Sequence, residues 1–280
     1  MGTLYLVATP IGNLEDISLR GLRILKEAAL IAAEDTRQTQ KLLNHYHIQT
    51  KCISYHEHNK LSRLDEVLAH LALGDIALVS DAGMPGLNDP GYELVEAAIR
   101  AGYEVSPVPG ASAPIAALVV SGLPTDSFLY LGYLPRRKQD RCELLEKVKP
   151  NPYTLIFLET PHRLLDALED IENVLGNRRI AVARELTKLY EEIFRGNIQD
   201  ARVYFTENSP KGEFTLVIEG MRTDSLTWDE TRLDMEIQKG VKAGVPASEL
   251  ARSIAQKSHL SRRVVYQQII KFLSISGNQS

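Results

Sequence analysis

The chain has little of what would place it outside the cell or in a membrane. Of its 280 residues only Cys52 and Cys142 are cysteines, so we expect no disulfide framework, and a reducing cytosol fits. The longest apolar runs, such as 115–120, are far too short to span a bilayer. No basic region precedes Leu4, and Leu6 does not fit an N-myristoylation motif. The sequence therefore predicts a soluble, cytoplasmic protein.

Several familiar catalytic and ligand-binding motifs are also missing. There is no G-x-G-x-x-G and no G-x-x-x-x-G-K-[ST], so a Rossmann site and a P-loop are excluded and a phosphate cradle is disfavoured. Without a G-x-S-x-G elbow or a Cys/His nucleophile pair, covalent catalysis is not supported. Cys52, His56 and His58 invite a zinc hypothesis, but no second ligand pair accompanies them, so we expect no metal.

What the chain does have is three loops rich in glycine and proline. The longest, at 80–91, reads SDAGMPGLNDPG and follows the apolar run 76–79. Loops of the same kind follow strand-like segments at 9–13 (TPIGN) and 107–114 (PVPGASAP). Glycine allows positive φ and close backbone approach, while proline stiffens the turn. An ordinary surface turn is the alternative, but such loops at strand ends favour a pocket for a polar small molecule.

Strand-like and helix-like segments alternate up to residue 220, which predicts a mainly parallel α/β architecture. The segment Gly122 to Asp126 breaks a helix before a new strand and is the expected seam between two halves. We predict α/β domains over 1–120 and 121–222 and a helical tail over 223–280, whose first residues, 223–235, are polar and loop-like. The predicted strands are 3–8, 30–33, 76–80, 103–108, 127–132, 153–158, 179–184 and 214–219.

The tail has the pattern of a helix-turn-helix. Its two apolar helix faces comprise Ala247, Leu250, Ala251, Ile254 and Ala255, then Val265, Ile269 and Phe272. The turn 257–260 leads to Ser261, a natural N-cap for the second helix. Residues 239–271 hold seven lysines or arginines and one acid, although the whole chain has a net charge of −4. Arg262 and Arg263 are therefore predicted to contact nucleic acid; a solvated appendage or a dimerisation hairpin is the alternative.

Titratable and basic residues also follow several predicted strands outside the three glycine loops. The candidates for phosphate or ribose contact are Arg37, His56, His58 and Asn59. A basic loop, 134–138, places Arg136, Arg137 and Lys138 after Tyr133, which suits base stacking and phosphate pairing. The alternatives are surface loops without a role and, at Arg184 and Glu185, an ion pair worth under about 1 kcal/mol.

Together the motifs resemble the tetrapyrrole-methylase-like, class III, S-adenosylmethionine-dependent methyltransferases, and within them the family of ribosomal RNA small-subunit methyltransferases I. The likeness runs essentially from end to end, including the helix-turn-helix. The motifs that carry it are SDAGMPGLNDPG at 80–91, TPIGN at 9–13, AEDTR at 33–37, PGASA at 109–113 and RELTK at 184–188. The resemblance implies two α/β halves with a cofactor cleft between them, 2′-O-methylation of a cytidine in the decoding region of 16S rRNA, the small ribosomal subunit or its rRNA as partner, and a homodimer.

The resemblance also implies site residues in both halves. It places S-adenosylmethionine against Pro10, Gly12, Ser80, Asp81, Met84, Ser112, Ala113, Leu158, Leu186 and Thr215. Asp81 is the natural acceptor for an amino group or ribose hydroxyls. In the transfer a ribose hydroxyl attacks the sulfonium methyl group and one proton must leave, for which a general base contributes roughly 10²–10⁴-fold. Glu185, Asp35 and His58 are candidates for that base, and the sequence does not choose among them.

Two other functions remain open on the sequence. The same scaffold methylates carbons of tetrapyrroles, although a small anionic ring would not need the basic tail or the basic loop. A nucleic-acid-binding protein that keeps S-adenosylmethionine as a structural ligand is the non-enzymatic alternative. Methyl transfer to rRNA, as opposed to cofactor binding without transfer, would distinguish the enzyme from the non-enzymatic alternative.

Overall fold

The computed structural model describes residues 2–221, 228, 230–258 and 260–276. The chain forms two compact units, Met1–Gly220 and Met221–Ser280. The described strands are β1 Thr3–Val7, β2 Leu30–Ala33, β3 Cys52–Ser54, β4 Ile76–Val79, β5 Glu104–Val108, β6 Phe128–Tyr133, β7 Thr154–Glu159, β8 Arg179–Arg184, β9 Glu192–Asn197 and β10 Phe214–Ile218. The described α-helices are α1 Leu19–Glu27, α2 Thr36–His45, α3 Lys60–Leu71, α4 Tyr92–Arg100, α5 Ala113–Ser121, α6 Lys138–Val148, α7 Leu164–Leu175, α8 Ile198–Glu207, α9 Glu230–Lys242, α10 Ala247–Ser258 and α11 Arg262–Ser276.

The first sheet of the larger unit is entirely parallel, with the strand order β3-β2-β4-β1-β5. Strands β2 and β4 are buried along their whole length, as expected for apolar strands covered on both faces. Because the strands are parallel, the loops that follow β1, β2, β4 and β5 all open at one edge of the sheet. The three glycine-rich loops therefore meet at that edge.

The second sheet is mixed, with the order β6-β7-β10-β8-β9. Only β6 and β7 pair in parallel, so the prediction of a mainly parallel architecture is wrong for this half. Residues 185–191 join β8 and β9 as an antiparallel hairpin, and β10 returns antiparallel between β7 and β8. Strand β9 was not predicted, because this half-exposed edge strand, EIFRGN, lacks a continuous apolar run. The α/β fold class itself is confirmed.

Helix α5 follows the last strand of the first sheet but packs on the second. Its Ala117 and Leu118 lie in one apolar cluster with Ile156 and Val217 of the second sheet. Gly122 ends the helix in a left-handed conformation, with φ of 74°. The start of α5 is thereby fixed at the edge where the glycine-rich loops open.

The smaller unit contains α9, α10 and α11 around its own apolar core. That core comprises Leu233, Ile237, Leu250, Ala251, Ile254, Val265 and Ile269, so the predicted faces of the last two helices are buried. The Ser261 hydroxyl accepts a hydrogen bond from the Val264 N–H at 3.3 Å, as expected of an N-cap. The loop prediction is wrong for 230–235, which begin α9; 222–227 and 229, and His259 of the predicted turn, lie outside the described residues. None of the helices in the described ranges is long and apolar enough to cross a membrane.

Candidate functional site

A cavity of about 250 Å³ opens in the larger unit, where loops of the first sheet face strand ends of the second. One wall belongs to the first sheet and to the start of α5: Ile11, Glu34, Asp81, Ala82, Gly83, Met84, Leu87, Asn88, Asp89, Ser112, Ala113 and Pro114. The other wall belongs to the second sheet and its connections: Tyr130, Tyr133, Leu158, Glu159, Ala183, Leu186, Glu213, Phe214 and Thr215. The volume is close to the lower end of what ligand pockets usually have.

Two of the glycine-rich loops are joined by their backbones. Thr9 and Gly83 form a two-way bridge, in which the Thr9 N–H donates to the Gly83 carbonyl at 2.9 Å and the Gly83 N–H donates to the Thr9 carbonyl at 3.0 Å. The Thr9 hydroxyl also donates to the Ser80 carbonyl at 3.0 Å. Gly83 has a φ of 84°, which an L side chain rarely adopts. The loops after β1 and β4 therefore form one continuous wall.

Carboxylates are concentrated on the first wall. The Asp35 N–H donates to Asp81 Oδ1 at 3.0 Å, and the Asp81 N–H donates to Glu34 Oε2 at 3.2 Å, so the ends of β2 and β4 are linked. Burial raises the pKa of Glu34 and of Asp81. Burial, helped by Glu34 and Asp81, raises the pKa of Asp89 to about 6, while the Ser80 hydroxyl lowers it. This wall is suited to a ligand that carries positive charge or hydroxyl donors.

The second wall is mostly apolar and is set by sheet register. Thr215 on β10 lies opposite Leu158 on β7 and opposite Ala183 on β8, so the three side chains form a row across the sheet. Phe214 and Leu186 border that row. A flat, largely apolar group such as a purine ring would fit against this surface.

Among the lining residues, one hydrogen bond crosses between the two walls. The Tyr130 hydroxyl donates to the Asn88 side-chain oxygen at 2.6 Å. Asn88 has a positive φ of 65°, and a Cβ at Gly132, whose φ is 66°, would overlap the Asn88 amide group. The register of β6 against β7 shifts between Tyr130 and Tyr133, so a β-bulge brings both tyrosines to the cavity. The hydrogen bond between Tyr130 and Asn88 therefore depends on the positive φ values and on the β-bulge.

A buried ion pair lies behind the second wall. Glu159 is 1% exposed, and its Oε2 lies 3.0 Å from the Arg163 guanidinium. Burial raises the pKa of Glu159, and the nearby Arg163 charge lowers it. Arg163 also donates to the carbonyl oxygens of Leu134 and Pro135, which begin the basic loop. Arg163 thus connects the cavity to the base of that loop.

Of the ten residues predicted to hold the cofactor, seven line the cavity. They are Asp81, Met84, Ser112, Ala113, Leu158, Leu186 and Thr215. Pro10, Gly12 and Ser80 lie outside the lining. Ser80 is buried, with its hydroxyl oxygen 3.3 Å from the Gly83 carbonyl oxygen, and a Cβ at Gly12 would overlap Lys188. Gly12 and Ser80 therefore support the loops from behind.

None of the three candidates for the general base lines the cavity. Glu185 pairs with Lys188 at 2.9 Å and accepts the Glu213 N–H at 2.9 Å, and hydrogen bonds from these groups lower its pKa despite partial burial. Asp35 accepts from the Arg37 N–H at 2.8 Å and pairs with the Arg37 guanidinium at 2.6 Å, so its pKa falls to about 2. His58 stacks edge-on with His56, with the ring centroids 5.9 Å apart.

The residues predicted to contact RNA lie in three places. Arg37 is exposed at the start of α2, and the Asn59 side chain accepts from the His56 N–H at 2.7 Å. His56 Nδ1 is buried without a hydrogen-bond partner. The side chains of the basic loop are exposed: Arg136, Arg137 and Lys138. Arg262 and Arg263 are exposed at the start of α11, in the smaller unit. Among the described residues no group of three or more His, Cys, Asp or Glu could hold a metal ion.

Several lining residues were not predicted from the sequence, and the signal that could have found them differs from one residue to the next. Asp89 and Asn88 lie within the 80–91 motif, whose second aspartate was quoted but given no role. Glu159 directly follows the predicted strand 153–158 and could have been found as an acid at a strand end. Tyr130 and Tyr133 reach the cavity only because of the β-bulge, which has no signature in FLYLGY.

The lining fits S-adenosylmethionine, the cofactor that the resemblance implies. That molecule carries a positive sulfonium and an ammonium group, which the carboxylates of Glu34 and Asp81 would stabilise. Its adenine would pack on the row that includes Leu158 and Thr215. A Cβ at Gly83 would make only ordinary contacts with Ile11 and the Ala111 carbonyl, so the positive φ, and not lack of space, calls for glycine there. The donor set and the shape of the walls therefore agree.

Several solved structures share the fold. The methyltransferase CobJ has a TM-score of 0.60 at 19% identity, covering 79% of this chain and 95% of its own. A diphthine synthase has a TM-score of 0.61 at 14% identity, covering 83% and 94%. The uroporphyrin-III-C-methyltransferase of Thermus thermophilus has a TM-score of 0.53 at 20% identity, covering 78% and 94%. At these identities the likeness shows the fold alone.

Curated relatives named ribosomal RNA small subunit methyltransferase I are far more similar. The protein of Halalkalibacterium halodurans is 49% identical over 270 residues, which cover 95% of this chain and 93% of its own. The protein of Synechocystis sp. is 50% identical over 270 residues, covering 95% and 97%. The protein of Thermotoga maritima is 48% identical over 221 residues, covering 79% of this chain and 99% of its own.

The profile of the tetrapyrrole (corrin/porphyrin) methylases matches residues 3–202. Methyltransferases of this family use S-adenosylmethionine as the methyl donor. The match spans well over half of the chain, and the sequence relatives span nearly all of it, so the resemblance is confirmed. The chain therefore belongs to the tetrapyrrole methylase family and, within it, to the family of ribosomal RNA small subunit methyltransferase I proteins.

Proposed function

We propose that the protein transfers a methyl group from S-adenosylmethionine to the ribose 2′-oxygen of a cytidine in the decoding region of 16S rRNA. Its sequence relatives are named for methylation of the small-subunit rRNA, and an rRNA substrate would be met in the cytoplasm. The observation that carries the proposal is the fixed, exposed basic loop beside an acidic cavity. An RNA strand held by that loop would present a ribose to the cavity.

The basic loop is held by its backbone while its charged side chains stay exposed, and one of them, Lys138, also pairs with Asp170 Oδ1 at 3.3 Å. Arg141 donates to the carbonyl oxygens of Pro135 and Arg136 at 3.2 and 3.3 Å. Arg141 itself is held by Asp170, whose Oδ2 accepts from its Nε at 2.8 Å. Both side chains of this pair are buried. A loop fixed in this way loses little conformational entropy when it binds phosphates.

The chemistry asked of the protein is mainly positioning. S-adenosylmethionine supplies an activated methyl group when bound. Asp81 and Glu34 would hold its polar groups, and the row of Leu158, Ala183 and Thr215 would fix the ring. Holding two reactants in line can account for several kcal/mol of the barrier. The protein must also accept the proton that the ribose hydroxyl loses.

We infer that the smaller unit adds affinity for RNA and does not take part in the methyl transfer. The Thermotoga relative, which has the same name, leaves about a fifth of this chain without a counterpart, and that share equals the size of Met221–Ser280. Helix α11 begins with two exposed arginines, which suits phosphate contact. In this proposal the larger unit holds the whole catalytic site.

A homodimer is the assembly that we infer. Ile115 and Val119 lie one turn apart on α5 and are 45% and 65% exposed, and Val120 beside them is 37% exposed. An exposed apolar stripe of this kind suits a second copy of the chain. Light scattering of the purified protein would measure the mass, and a monomer would contradict the inference.

The function is tested by incubating the protein with methyl-labelled S-adenosylmethionine and small subunits that lack the modification. Naked 16S rRNA serves as a second substrate and a tetrapyrrole as a third. We expect label on the 2′-oxygen of one cytidine, located by mass spectrometry. Label on the tetrapyrrole alone would favour the C-methyltransferase alternative. Cofactor binding without transfer to any of the three would favour a non-enzymatic role.

Replacing Arg262 and Arg263 by alanine tests the role of α11. Each phosphate contact contributes about one unit to the slope of log affinity against log salt concentration. We therefore expect the slope to fall by about two for the double variant, with cofactor affinity unchanged. The matched control is Arg23→Ala with Arg100→Ala, two exposed arginines of the larger unit. An unaltered slope would remove Arg262 and Arg263 from the RNA interface.

A further inference from the structure

Five carboxylates line the cavity, and four of them accept a backbone hydrogen bond or pair with a basic side chain. Glu34 accepts the Asp81 N–H, and Asp81 accepts the Asp35 N–H. Glu159 pairs with Arg163, and Glu213 pairs with Lys188 at 2.9 Å. Asp89 is the fifth. It has neither an ion pair nor a backbone donor among the contacts of the described residues; only the Ser80 hydroxyl acts on it as a hydrogen-bond donor.

Asp89 is held between the two walls. The preceding residue, Asn88, accepts the hydrogen bond from Tyr130 of the second wall, and the following residue, Pro90, has a restricted φ. The titratable groups that act on the Asp89 carboxyl are Glu34 and Asp81 from the first wall and Tyr130 and Tyr133 from the second. The described lining contains no lysine or arginine. The carboxylate is therefore positioned without being neutralised.

We propose that Asp89 is the general base of the methyl transfer, a role that rests on the proposed function. Its carboxylate accepts the proton of the ribose 2′-hydroxyl. In the same step the ribose oxygen bonds to the methyl carbon, the carbon–sulfur bond breaks, and its electron pair stays on sulfur. The products are a 2′-O-methyl ribose, neutral S-adenosylhomocysteine and protonated Asp89, which then releases the proton to water.

Its environment makes Asp89 better suited to this task than Asp35 or Glu185. A general base is most effective when its pKa lies near the working pH. The pKa of Asp89 is about 6, whereas the pKa of Asp35 is about 2 and that of Glu185 is lowered by its hydrogen bonds to Lys188 and Glu213. Asp89 is thus mostly ionised at neutral pH while keeping an appreciable affinity for a proton.

The test is Asp89→Asn, which keeps the size of the side chain and cannot accept the proton. We expect kcat on the labelled rRNA substrate to fall by about 10²–10³-fold. Affinities for S-adenosylmethionine and for RNA, measured by calorimetry, should change by less than about threefold. The wild-type rate should rise with pH through about 6 and then level off, because the base must be ionised. The variant should lose that rise.

Asp65→Asn, on an exposed aspartate of α3 outside the cavity, is the matched control and should keep the wild-type rate and pH profile. Asp89→Glu should recover part of kcat, since it restores a carboxylate. A readout independent of turnover is the ¹³C signal of the Asp89 carboxyl, assigned by its absence from Asp89→Asn. It should titrate near pH 6.

Three results would overturn the proposal. Unchanged kcat in Asp89→Asn would show that another group takes the proton, and the same variants of Glu185, Asp35 and His58 would then be compared. A loss of cofactor affinity that matches the loss of kcat/KM would make Asp89 a cofactor ligand. Titration of its carboxyl below pH 5 would show that the carboxylate binds a proton too weakly for this role. Failure of the proposed function is distinct, because the wild-type protein itself would then not label rRNA.

Discussion

The two walls of the cavity are built in different ways. The wall from the first sheet consists of loops whose backbones bond to one another, and it carries Glu34, Asp81 and Asp89. The wall from the second sheet consists mainly of strand residues fixed by register, and its buried carboxylate Glu159 pairs with Arg163. The first wall therefore supplies charge and hydrogen-bonding groups for chemistry. The second supplies shape and stability.

If the second wall serves stability, Arg163→Met should have the largest effect on folding. It leaves the Glu159 carboxylate buried without a counter-charge, although the Thr160 N–H still donates to it at 2.7 Å, and such a loss costs about 3–5 kcal/mol. Denaturant unfolding at pH 8 measures this change in the free energy of unfolding. Arg37→Met, which removes an exposed pair with Asp35, is the control and should leave the free energy of unfolding nearly unchanged.

The loss of stability in Arg163→Met should depend on pH, and the direction of that dependence follows from the pKa of Glu159. Burial already raises the pKa of Glu159 in the native protein, and loss of Arg163 raises it further. A native-state pKa above the unfolded value favours the folded state most at low pH, and that contribution is lost as the pH rises. The cost of Arg163→Met should therefore be smaller at pH 5 than at pH 8. An equal cost at both values would contradict the account of the buried pair.

If the first wall serves binding, Asp81→Ala should lower the affinity for S-adenosylmethionine more than it lowers the stability of the fold. It removes a charged acceptor, a change worth about 1.5–3 kcal/mol or roughly 10–150-fold in affinity. Calorimetry measures the affinity, and RNA binding should survive. Asp126→Ala, on an exposed aspartate outside the cavity, is the matched control. Unchanged affinity would rule out the role given to Asp81.

The bond that joins the walls should have the smallest effect. Asn88→Gly removes the hydrogen bond with Tyr130 and tolerates the positive φ of 65°, so it should cost about 1 kcal/mol in the free energy of unfolding. Asn88→Ala removes the same bond and strains the backbone by roughly another 1 kcal/mol. Thermal unfolding of both variants measures the difference. Equal stability of the two would show that the loop relaxes to a negative φ.

The sequence predicts the first wall better than the second, for a physical reason. Glycine permits a positive φ and proline fixes φ whatever the rest of the chain does, so the motif at 80–91 predicts a tight loop from local sequence alone. Leu158 and Thr215 are ordinary strand residues, and only the family resemblance pointed to them. Their place in the cavity follows from a register between β7 and β10 that distant parts of the chain must form. Strand direction in the second sheet was missed for the same reason.

The candidates for the base show the same limit at the level of single side chains. The sequence places Asp35 and Glu185 at strand ends, which is correct. It does not show that Asp35 caps α2 and pairs with Arg37, or that Glu185 turns to Lys188. The availability of a carboxylate depends on its partners, and partners depend on the folded chain. The helices of the smaller unit were predictable because their apolar spacing is local.

The bridge between Thr9 and Gly83 has a consequence for how the protein meets its ligand. Opening either loop breaks two backbone hydrogen bonds at once, so the loops must move together or not at all. Their amide hydrogens should then exchange with solvent as slowly as those of the sheet, even before a ligand arrives. The cavity wall is therefore an extension of the sheet, and binding to it requires little ordering of the chain.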